Sequence, residues 1–81
     1  MTAEAKQYLI PSLNRAAEKF KQFVDEEKDC LLIHIVEGNK VTHELQQSLL
    51  ILLLATILED SKTNKIKPAV YEELSKNIKL T

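Results

Sequence analysis

Residues 49–58 read Leu-Leu-Ile-Leu-Leu-Leu-Ala-Thr-Ile-Leu, and only Ala55 and Thr56 are not large aliphatics. At 100° per residue, Leu49, Leu52 and Leu53 cover one side of a helix while Leu50, Ile51, Leu54 and Leu58 cover the other. A helix that is apolar all round has to be surrounded. Ten such residues are far short of the ~20 needed to cross a bilayer, and Glu44, Glu59 and Asp60 bracket them. The pattern therefore predicts a central helix enclosed by the rest of the chain, by a second copy or by a partner.

What is left to enclose it is small. Eighty-one residues suit one domain, 1–81, and 44% hydrophobic against 28% charged residues place the chain among globular sequences rather than disordered ones. Cores of this size leave only ~3–5 kcal/mol of net stability, so a staple or a partner is often recruited. Cys30 is the single cysteine and cannot form an internal disulfide, which fits a reducing compartment. The opening Met1-Thr2-Ala3-Glu4-Ala5-Lys6 lacks the basic-then-apolar order of a signal peptide, so a cytoplasmic location is expected.

Charge is unevenly spread. Residues 1–60 hold six Lys and Arg against ten Asp and Glu, a net of −4, whereas residues 61–81 hold five lysines against two glutamates, a net of +3. With one arginine, Arg15, and a pI near 6.1, the chain lacks the basic footprint of a nucleic-acid binder. Lys62, Lys65 and Lys67 make a small basic loop that permits peripheral contact with an anionic surface.

Along the chain, Thr2 is placed to cap a short helix over 3–10, although Tyr8, Leu9 and Ile10 also suit a strand. Pro11 is expected to end whichever forms, because the residue before proline is pushed out of the α region. From residue 12 to 30 the apolar residues Leu13, Ala16, Ala17, Phe20, Phe23, Val24, Cys30 and Leu31 fall in one arc. Leu32, Ile33 and Val36 then point the opposite way. Either the helix continues to 37 with Gly38 as a left-handed cap, or residues 31–43 form a β-hairpin turning at Glu37-Gly38-Asn39-Lys40. Thr42 is the expected N-cap of the central helix, over 42–60. Pro68 opens a last helix over 68–79, with Val70, Tyr71, Leu74 and Ile78 on one face.

Few residues suggest chemistry. Cys30 and His34, four apart, make half a metal site on a continuous helix, and His34 with His43 makes another half if the hairpin forms. Neither has evident further ligands. A buried thiol and a partly buried imidazole explain both, so no cofactor and no catalytic residue is expected. The acids at 25–29 read as a solvated helix face.

The tail Thr63-Asn64-Lys65-Ile66-Lys67-Pro68-Ala69-Val70-Tyr71-Glu72-Glu73-Leu74 resembles the last loop and helix of the pediocin-type bacteriocin immunity proteins. That resemblance implies a small cytoplasmic antiparallel four-helix bundle protecting the cell that makes the toxin. It assigns no functional residue to this sequence.

The expected fold is mainly α, a small three- to four-helix bundle. The alternative is α+β, with the 31–43 hairpin packed on helices and a strand at 7–10. The expected function is a non-catalytic protein-interaction module, a regulator, inhibitor or small subunit, working as a homodimer or within a hetero-complex. Its interface would be built from Leu50, Leu54 and Leu58 with Leu32, Ile33 and Val36. An immunity-like bundle is the alternative, and a metal-dependent sensor or enzyme using Cys30 and a histidine a more distant one.

Overall fold

Four helices carry the chain: α1 (Ala3–Lys19), α2 (Asp25–Glu37), α3 (Glu44–Lys62) and α4 (Pro68–Asn77). They come from a computed structural model that describes residues 1–21 and 23–80. The fold is mainly α, four helices packed together. The one extended pairing among the described residues is parallel and two residues long, with Lys40 opposite Lys79 and Val41 opposite Leu80. No described helix is long and apolar enough to cross a membrane.

Helix α1 overturns the expectation that Pro11 ends the first element; no strand forms at 7–10. Thr2 caps it as the sequence suggests, its Oγ1 accepting the Ala5 N–H at 3.2 Å and donating to Glu73 of α4 at 2.9 Å. The helix passes through Pro11 because burial outweighs the missing hydrogen bond. Ala5, Leu9, Ser12, Leu13 and Ala16 form one buried stripe on both sides of the proline. Pro11 and Gln7, whose carbonyl is left without its helical donor, are both exposed, where a missing helical bond costs least.

The predicted continuous helix from residue 12 does not form either. α1 ends at Lys19, and α2 begins at Asp25 after a turn in which the Phe23 N–H reaches the Phe20 carbonyl at 3.1 Å. The rings of Phe20 and Phe23 meet edge to face, centroids 5.6 Å apart. An unbroken 12–37 helix would be ~39 Å long, longer than the molecule's 30 Å greatest extent. Breaking it lets two helices pack on α3 where one would cover a single side. The continuous arc was a coincidence of phase: Val24 and Cys30, both placed on it, are exposed. Gln22, within the same expected helix, lies outside the described residues.

Residues 31–37 are helical, so the hairpin at 31–43 is not formed. Gly38 closes α2 at φ 71°, with its N–H on the Ile35 carbonyl and the Asn39 N–H on the His34 carbonyl. These are the paired bonds of a Schellman cap. Asn64 repeats the arrangement after α3 at φ 60°, the Lys65 N–H reaching the Asp60 carbonyl at 2.8 Å. A Cβ on Gly38 would meet nothing within 4 Å, so only backbone strain opposes a side chain there. Gly38→Ala should destabilise by about 1 kcal/mol, and Gly38→Asn by less, because Asn visits the left-handed region more readily. Urea midpoints in the opposite order would contradict this.

Thr42 is not the N-cap of α3. His43 holds that position without a side-chain cap bond, and the chain before it is extended, with Val41 buried. Its carbonyl accepts the Gln47 side chain at 2.8 Å. On α3, Leu49, Leu50, Leu53 and Ile57 are completely buried within the one chain, against Leu9, Leu13, Leu31, Ile35 and Leu74. The total surface, 5125 Å², is near the ~5,000 Å² of a folded monomer of this mass. Residues 49–58 therefore do not need a second molecule on every side. α4 ends at Asn77 rather than 79, and Val70, Leu74 and Ile78 face inward as the spacing predicts.

Candidate functional site

The six residues expected to form one interface are divided among three places. Leu50 is fully buried and contributes to no surface. Its neighbours Ile51, Leu54 and Leu58 sit at positions i, i+3 and i+7 along α3. Ile51 is 57% and Leu58 43% exposed, Leu54 half-buried, and the exposed Ala55 lies alongside. This apolar stripe faces away from the buried side of α3 that Leu53 centres.

Leu32, Ile33 and Val36 lie elsewhere, in a groove of 310 Å³ between α2 and the N-terminal half of α1. Ile10 completes its apolar lining, and Lys6 and Glu37 flank it. Ile10 and Ile33 are each about half exposed, whereas Leu32 and Val36 are partly buried against the core. Ile10 is not legible in the sequence because Pro11 signals an element boundary directly after it. Ile51 was within reach, since the wheel already set it beside Leu54 and Leu58.

A polar cluster joins α1 to the end of α3. Arg15 Nη2 donates to Asp60 Oδ2 at 2.8 Å, and Tyr8 Oη donates to the same oxygen. Ser12, fully buried, donates to the Tyr8 carbonyl at 2.9 Å and accepts from Arg15 at 3.3 Å. Burial of Asp60, 6% exposed, opposes its ionisation. The hydrogen bonds from Tyr8 and Arg15, with the charges of Arg15 and Lys65, outweigh that and hold its carboxyl below its ordinary value. Burial and the bond to Asp60 push the Tyr8 phenol up, and the same carboxylate raises Arg15. The residues are 45 and 52 positions apart in sequence, so no local spacing signals them. The cluster is a latch between helices, and its charges are already matched.

Cys30 Sγ lies 3.6 Å from His34 Nε2 on the solvent side of α2. With residues 31–37 helical, this is the half-site that a continuous helix places, and the cross-strand pairing of His34 with His43 is not formed. Among the described residues no three His, Cys, Asp or Glu side chains are grouped to hold a metal ion. Of the lysine loop, Lys67 is paired with Glu4 at 3.0 Å, and Lys65 contributes its charge toward Asp60. Lys62 is exposed at the end of α3.

Set against protein-family models, curated proteins and solved structures, the chain matches none of them.

Proposed function

We propose that the chain is a non-catalytic protein-interaction module, a small regulator, inhibitor or subunit that acts by burying exposed apolar helix surface against a partner. The observation that carries this reading is the outer stripe of α3. The chain encloses four aliphatic residues of that helix completely and leaves Ile51 and Leu58 in water on the opposite side. Covering such surface contributes ~25 cal/mol per Å² before the costs of association. Single exposed aliphatics are ordinary, but a run at helical spacing is what a partner helix or groove recognises. The test is capture of partners from the host cell's extract by immobilised wild type and by Ile51→Glu/Leu58→Glu. A bound protein retained by the wild type and lost by the folded variant is the expected result. Equal capture by both would remove this face from the function.

A second reading is favoured by the four-helix count together with residues 63–74, which form a loop followed by the last helix, as in the immunity proteins they resemble. On that reading, expressing the chain in a sensitive strain protects it from a pediocin-type bacteriocin. Unchanged killing across several such toxins would count against it.

A further inference from the structure

The groove between α1 and α2 differs from the α3 stripe in that it carries its own pair of opposite charges. Lys6 lies on the α1 side and Glu37 on the α2 side. Glu37 accepts a hydrogen bond from Asn39, but neither Lys6 nor Glu37 has an ion-pair partner among the described residues. The N-terminal half of α1 lies against the C-terminal half of α2, so the helices run roughly antiparallel and both charges fall at the same end of the groove. Ile10 and Ile33 face each other one turn further along.

We propose that this groove is a self-association surface, in which a second copy is related by a two-fold axis running along it. This deepens the reading above by naming a partner, at a face distinct from the α3 stripe. Rotation about such an axis lays α1 of each copy over α2 of the other. Lys6 then meets the second copy's Glu37, Ile10 meets the second copy's Ile33, and each contact occurs twice, as in isologous dimers. Charge decides this arrangement over the alternative. Among the residues lining the groove, Lys6 on α1 and Glu37 on α2 carry the charges. Setting α2 against α2 would juxtapose like charges; setting α1 against α2 does not. A uniformly basic or acidic ligand would satisfy only one of Lys6 and Glu37, whereas a second copy satisfies both. Two half-exposed isoleucines and one pair of opposite charges per copy are less than a standard interface supplies, so the dimer forms at micromolar or higher concentration.

Sedimentation equilibrium over micromolar to millimolar protein tests the proposal. The wild type should pass from monomer to dimer mass. Ile33→Glu should weaken association at least about tenfold, and Lys6→Glu or Glu37→Lys alone about tenfold each, while the double reversal returns it toward wild type. Far-UV circular dichroism of each variant checks that the exposed substitution leaves the helices intact. A wild type that stays monomeric throughout, or a dimer indifferent to Ile33→Glu and to both reversals, overturns the proposal. Ile51→Glu, on the other face, should leave self-association unchanged. Loss of partner capture in that variant would keep the interaction-module reading in place even if the chain proves monomeric.

Discussion

Leu53→Ala is expected to lower the stability of the fold by about 2–5 kcal/mol, the largest effect of any single truncation proposed for this chain. Leu53 is fully buried at the middle of the inward side of α3. Interiors are packed near crystal density, so the lost contacts are recovered only in part. A domain of this size starts with little to spare, and a substantial fraction of the variant should be unfolded at body temperature. Ile51→Ala, two residues away on the exposed face, should change stability by no more than about 0.5 kcal/mol. Urea denaturation of the pair is the check. Similar losses in both would mean that α3 does not have the inside and outside described here.

Asp60→Asn should produce the second-largest change, about 1.5–3 kcal/mol at neutral pH, because it removes the charge that accepts from both Tyr8 and Arg15. Most of this belongs to the buried carboxylate and the phenol, since the Arg15 side chain is 50% exposed and its ion pair is weakened by water. The effect has a definite pH sign. Folding holds the Asp60 carboxyl below its ordinary value, so its contribution is fully present above the unfolded aspartate pKa of about 4 and disappears as pH falls through the folded one. The gap between wild type and Asp60→Asn should therefore be wide at pH 7 and narrow toward pH 3. Tyr8 works in the other direction. Its raised phenol contributes below the unfolded tyrosine pKa of about 10, and that contribution fades as pH rises through the folded value. A gap unchanged between pH 7 and pH 3 would show that the carboxylate is not held as described.

Much of the fold was legible because its signals are local. Thr2 as a cap, Gly38 at a helix end, Pro68 at a helix start and the inward spacing of Val70, Leu74 and Ile78 each depend on a few neighbouring residues. The all-aliphatic run at 49–58 likewise identified the helix that the others cover. The failures share a different cause. Pro11 signals a break because its local cost inside a helix is real. What overrides it is the stripe from Ala5 to Ala16, which gains from burial only once α3 and α4 are in place. The arc over 12–30 was periodic yet is divided between α1, which ends at Lys19, and α2, which begins at Asp25. Leu50 and Ile51 are equally aliphatic, and only the packing of four helices decides which is inside. The Tyr8, Arg15 and Asp60 latch depends on tertiary contact and leaves no trace in spacing.

One chain encloses its own apolar helix and leaves Ile10, Ile33, Ile51 and Leu58 exposed. Methyl NMR with a soluble paramagnetic probe at low protein concentration reads that division directly. Ile10, Ile33, Ile51 and Leu58 should relax strongly, while Leu50, Leu53 and Ile57 should be shielded. Equal relaxation of Leu53 and Ile51 would contradict the account.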